Sequence, residues 1–138
     1  MTRDTGYCNT DFDLKSPTPF DALHRELSAS CHVLHYTHRD DGQWSSTVEA
    51  EHGEDSRDRT AALDITSMIE AIKRLSPEAR EELAACTQRE FNIGFDCWDT
   101  WCYVHSLPAD VVRAIADVGC SVAVSLYPMR KPDGTPRD

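Results

Sequence analysis

The stretch from Arg89 to His105 restricts the fold more than any other part of the chain. Phe91, Ile93 and Phe95 alternate there with Glu90 and Asn92. A spacing of two puts the large apolar groups on one face and the polar groups on the other, as in a strand buried on one side. Such a strand needs neighbours in a sheet and a second layer over its apolar face. Asp96, Cys97, Trp98, Asp99 and Thr100 supply turn residues, and Trp101, Tyr103 and His105 then alternate with Cys102 and Val104. The segment reads as a hairpin with a crowded tip.

The other elements follow from period and punctuation. Cys8 to Leu14 reads as a strand through Phe12 and Leu14. Thr18 before Pro19 is an N-cap signal for a helix that carries Phe20, Leu23 and Leu27 on one face. Cys31 to His38 and Trp44 to Ala50 read as strands joined at Asp40-Asp41-Gly42. Glu51 to Thr60 holds no apolar side chain and reads as a solvated loop. Asp64 is taken as the N-cap of a helix with Ile65, Met68, Ile69, Ile72 and Leu75 at spacings of three and four, and Ser76-Pro77 opens another. After Pro108 a helix bearing Val111, Val112, Ile115 and Val118 ends at Gly119, and Cys120 to Tyr127 returns as a strand. The order βαββ-αα-ββαβ implies an α+β fold, a mostly antiparallel sheet with helices packed on one face. Residues 1–128 form the expected single domain and 129–138 a flexible tail. Pro19 to Cys31 and Pro108 to Cys120 repeat one helix-to-strand pattern at an offset of 89 residues.

A chain of 138 residues with 40% hydrophobic and 28% charged side chains can build one domain-sized core. Its formal charge of -10 repels a phosphate backbone, so nucleic acid is a poor partner; the acidic surface serves solubility alone or suits a basic protein partner. No stretch approaches the ~20 apolar residues of a membrane span, and the N-terminal residues carry no apolar leader, so the expectation is a cytoplasmic protein with no membrane partner. The six cysteines then read as free thiols in a reducing compartment.

Several constellations could carry chemistry. Cys97, Cys102 and His105 form C-x4-C-x2-H, whose residue types suit zinc or a cysteine nucleophile. On one strand, however, Cys102 and His105 fall on opposite faces. The same period places His32 and His38 together and His35 opposite. No Gly-rich phosphate loop, G-x-S-x-G or H-E-x-x-H occurs. The reading is therefore non-catalytic, with no cofactor and no metal, and a zinc-binding or cysteine-dependent enzyme using Cys97, Cys102 and His105 stands as the alternative, beside a small-molecule sensor. Arg89, Glu90, Asp96, Trp98, Asp99 and Trp101 combine Trp and Arg with carboxylates, the residue types that carry protein interfaces. They are the expected partner-binding residues.

Arg89 to Cys97 with the following helix and Leu126-Tyr127-Pro128, together with Asp11-Phe12-Asp13-Leu14, resembles small uncharacterised bacterial α+β proteins. Some of these look like immunity proteins of polymorphic toxin systems. The resemblance implies an acidic cytosolic antitoxin that blocks a toxin by binding alone, and its acidic charge would suit a basic toxin.

Overall fold

Among the described residues, five segments with alternating side chains join into one sheet, and four amphipathic helices cover one of its faces. The computed structural model describes residues 4–51, 59–98, 100–128 and 130–136. In chain order the elements are β1 (Gly6–Ser16), α1 (Asp21–Ser30), β2 (Cys31–His38), β3 (Trp44–Ala50), α2 (Ala61–Lys73), α3 (Pro77–Ala85), β4 (Gln88–Asp96), α4 (Ala109–Asp117) and β5 (Ser121–Tyr127). The strands lie in the order β2-β3-β1-β4-β5. All pairings are antiparallel except that of β4 with β5. The fold is α+β with a mostly antiparallel sheet, as the periodicities imply. Most of the expected loop from Glu51 to Thr60 falls outside the described residues.

Burial follows the pleat. Phe12 and Leu14 of β1, Val48 and Ala50 of β3, and Phe91, Ile93 and Phe95 of β4 all turn inward. They meet Leu23 and Leu27 of α1 and Ile65, Met68 and Ile69 of α2. α2 crosses β1 and β3 in the middle of the sheet, α1 packs on β2 and β3, α4 on α2 and β5, and α3 on α1.

The helix ends show which local signals decide. Ser76 caps α3 as expected, its Oγ accepting from the Ala79 N–H at 3.2 Å. α2 starts earlier than the Asp64 signal implies, because Thr60 Oγ1 accepts from the Leu63 N–H and takes the N-cap. Thr18 does not cap α1 either. Groups distant in sequence serve that end instead: Tyr36 Oη accepts from the Phe20 N–H at 2.7 Å, and Glu82 Oε1 from the Leu23 N–H at 2.8 Å.

The largest departure from expectation follows β4. Residues 101–108 form no strand. β4 already has β1 on one side and β5 on the other, so neither edge is open to a returning hairpin strand. The chain crosses the end of the sheet, Tyr103 and His105 packing on Phe95 with ring centroids 5.4 and 4.9 Å apart, and enters α4. The aromatic alternation of 101–105 reflects ring packing rather than a ladder. β4-α4-β5 is therefore a parallel crossover, and β1-α1-β2 is a second one with β3 inserted between its strands. The sequence echo corresponds to these two units, and each ends on an edge of the sheet.

Gly119 has φ 74°, a left-handed conformation. Its N–H donates to the Ala116 carbonyl and that of Cys120 to the Ile115 carbonyl, which closes α4 in a Schellman turn. Replacing Gly119 by Ala forces a Cβ into this conformation. The expected loss is about 1 kcal/mol of unfolding free energy in urea titrations, with the denaturant slope unchanged.

Candidate functional site

The face of the sheet opposite the helices carries the side chains that alternate with the core. On β1 these are Asn9, Asp11, Asp13 and Lys15. Register then sets like charges directly opposite one another, Asp11 against Glu49 of β3 and Asp13 against Glu90 of β4. Such pairs are unfavourable in an antiparallel ladder. Four carboxylates thus gather in the middle strands. Asn9 Nδ2 donates to Asp11 Oδ1 at 3.1 Å and to Glu49 Oε1 at 3.2 Å, and so bridges one of the pairs. The Thr47 hydroxyl donates to Asp13 Oδ1 at 3.0 Å.

The electrostatics follow from that crowding. Partial burial pushes the Asp11 carboxyl up to about 6, helped by the charges of Asp13 and Glu49 and by a hydrogen bond shared with Glu49. Asp13 is raised as well, first by burial and then by the charge of Glu90, against the hydrogen bond from Thr47. Tyr127 of β5 is raised by burial and by Asp11, Cys8, Asp13 and Asp96. Its ring can lie across the face because Gly94 has no side chain. A Cβ on Gly94 would come within 2.7 Å of Asn9 Oδ1 and 3.0 Å of Tyr127 Cε2. The glycine that interrupts the β4 pattern therefore makes room for Asn9 and Tyr127, opposite a bulge in β1 between Tyr7 and Asn9.

A second bulge, between Val33 and His35 of β2, rearranges the histidines. It absorbs Leu34, so that His32 and His35 pair with Glu49 and Thr47 on the open face. His38 instead stacks on Trp44 at 4.5 Å on the helix side. The simple alternation, which groups His32 with His38, fails at this bulge. His35 Nε2 lies 3.1 Å from Thr47 Oγ1, at the margin of the acidic cluster.

The residues expected to bind a partner divide between this face and its surroundings. Glu90 and Asp96 belong to the open face. Trp101 is fully exposed in the segment after β4. Trp98 is half-buried and its N–H donates to Thr5 Oγ1 at 2.9 Å, which ties that segment to the start of the chain. Asp99 lies outside the described residues. Arg89 serves the scaffold instead. Its Nη1 donates to the carbonyls of Leu83, Ala84 and Cys86 and its Nε to that of Gly119, so the guanidinium closes the ends of α3 and α4. A cavity of about 620 Å³ adjoins it, lined by Ile72, Leu83 and Val118 with Lys73, Arg80 and Asp117. Three helix C-termini converge there, and their negative ends account for the basic side chains.

Cys97, Cys102 and His105 do not assemble. Among the described residues no group of three or more His, Cys, Asp or Glu is placed to hold a metal ion. His105 lies among Tyr7, Phe95 and Tyr103, while Cys102 is exposed. No cysteine is in a disulfide. Burial pushes the thiols of Cys86 and Cys120 up to about 11, which leaves them poor nucleophiles. At the same end of the sheet Tyr7 donates to buried Asp64, which also pairs with Arg59 at 3.3 Å. That cluster anchors α2 to β1.

Comparison with family models, curated proteins and solved structures gives no match. The site is defined by its own geometry. Sequence reasoning misses Asp11 and Asp13 as site residues, although Asp-Phe-Asp-Leu sets two carboxylates on the polar side of a strand, where Asp is disfavoured.

A raised carboxyl pKa makes the unfolding free energy fall with pH wherever the native state keeps a proton that the unfolded chain has lost. For Asp11 that window runs from its ordinary value, 3.8, to about 6, so its contribution is present at the acid end and lost as pH rises. Unfolding free energy should fall between these limits. Asp11→Asn should flatten the fall by about 1 kcal/mol, a figure reduced from the full shift for solvent screening, in urea titrations across the range.

Proposed function

We propose that this chain is a non-catalytic module that binds a basic protein across the open face of its sheet, in the manner of an immunity protein that neutralises a toxin. The observation that carries this reading is the pair of like-charge contacts, Asp11 with Glu49 and Asp13 with Glu90, held in register in the middle of a face that no element among the described residues covers. Folding alone gives no reason to keep them, since neutral or opposite charges at those positions would suit the ladder better. A Lys or Arg of a partner placed between the carboxylates would relieve the repulsion, and the gain would appear as affinity. The overall charge of -10 would speed the encounter with such a partner.

Glu90 and Asp96 supply part of the acidic surface in this reading, and Trp101 an apolar anchor at its margin. Asp99 and Trp98 flank that anchor in sequence. No helix among the described residues is long and apolar enough to cross a membrane. The net charge disfavours nucleic acid as the partner.

The reading is tested by capture from the native host with the wild-type chain, Asp13→Arg and Trp101→Ala, each confirmed folded by circular dichroism. The expected result is a basic protein retained by the wild type at low salt, released as salt rises, lost with Asp13→Arg and weakened at least tenfold with Trp101→Ala, a loss of about 1.4 kcal/mol. Retention of the same protein by both variants, or capture of an acidic one, would contradict it.

A further inference from the structure

The two edges of the sheet are built differently. β2 carries a bulge between Val33 and His35, a device that blunts an edge against pairing. β5, Ser-Val-Ala-Val-Ser-Leu-Tyr, has no charged residue, no proline and no bulge. Its Val122, Val124 and Leu126 lie in register with the buried Phe91, Ile93 and Phe95, yet are 42, 59 and 64% exposed. In a chain with 28% charged residues, this is an uncharged and apolar edge that no element among the described residues covers.

The direction of its backbone groups can be read from one hydrogen bond. The Cys97 N–H donates to the Tyr127 carbonyl at 2.9 Å, so Tyr127 points its backbone groups toward β4. Alternate residues of a strand point theirs to opposite sides. Ser121, Ala123 and Ser125 therefore face β4 as well, whereas Val122, Val124 and Leu126 offer their N–H and C=O groups to the free edge. Side chain and backbone are thus both available at the same three positions.

The inner residues of β5 also read alike from either end: Val122 answers Leu126 and Ala123 answers Ser125, with Val124 at the centre. We propose that β5 pairs antiparallel with β5 of a second copy about a two-fold axis at Val124, forming a continuous ten-stranded sheet. Val124 then faces its own counterpart and Val122 faces Leu126, each as a hydrogen-bonded pair that exchanges both backbone bonds. The apolar side chains of both copies meet on the helix side. The occupant is a second copy because the edge is self-complementary in both polarity and hydrogen bonding, as an isologous interface requires. Charge agrees, since two chains of -10 can approach closely only through an uncharged surface. The acidic open faces then run side by side on one surface of the dimer.

Sedimentation equilibrium of the full chain tests this. The wild type should be a dimer whose association tightens as salt screens the charge on each copy. Val124→Lys places two ammonium groups face to face at the axis and should give a folded monomer, whereas Leu34→Lys on the opposite edge should stay dimeric. A second arm checks the register. With Cys8 and Cys102 changed to Ser, Val124→Cys should form a disulfide-linked dimer on mild oxidation, because facing Cα atoms about 5.5 Å apart lie within disulfide reach. Val122→Cys, which faces Leu126 rather than itself, should not. A wild type that remains monomeric at every concentration and salt, or a Val124→Lys chain that remains dimeric, overturns the proposal.

Discussion

Phe12 of β1 stacks on Phe91 of β4 in the middle of the sheet, with ring centroids 4.7 Å apart and planes 21° from parallel, and both rings are almost wholly buried. The two residues are direct cross-strand partners. An aromatic pair of this kind adds about 1 kcal/mol beyond the burial of its surface, and a slip of one residue would expose both rings. The register of the middle strands is therefore fixed by the core. Because side chains alternate, the same register decides what stands on the other face. With Phe12 opposite Phe91 and Val48, Asp13 must face Glu90 and Asp11 must face Glu49. The acidic cluster is thus imposed by the hydrophobic core on a sequence that carries carboxylates at those positions.

The cluster has a thermodynamic cost and a structural support. Burial and mutual repulsion raise the carboxyls of Asp11 and Asp13, so at neutral pH the face holds charge that works against the fold. Asn9, Thr47 and the vacant Cβ position of Gly94 hold its geometry. These are locally unfavourable choices that the surrounding structure keeps in place. The remaining polar clusters serve the scaffold. Arg89 joins the ends of α3 and α4, Asp64 ties α2 to β1, and Glu26 accepts from Ser76 at the start of α3.

Much of the architecture is legible in the sequence because its signals are local. The alternation of Phe91, Ile93 and Phe95, the helical stripe from Ile65 to Leu75, the Ser76 cap and the stop at Gly119 each depend on a few neighbouring residues. What cannot be read depends on partners distant in the chain. Residues 101–105 alternate like a strand, but whether β4 has a free edge is a property of the whole sheet. The bulge at Leu34 reverses which histidines share a face, and no residue there announces it. The site is hidden for the same reason: Asp11 and Asp13 alternate visibly with Phe12 and Leu14, but the carboxylates opposite them are 38 and 77 positions further along the chain. Only the register brings them together.

If the core register forces like charges together on the open face, the carboxyls of Asp11 and Asp13 must titrate above the ordinary range. Carboxyl-carbon NMR of Asp11 and Asp13, followed against pH, tests this most directly. Asp11 is expected to titrate near 6 and Asp13 above the ordinary carboxylate range, and Glu49→Gln should bring Asp11 back toward that range. Titration of Asp11 and Asp13 at ordinary carboxylate values, with Asp11 unchanged by Glu49→Gln, would contradict it.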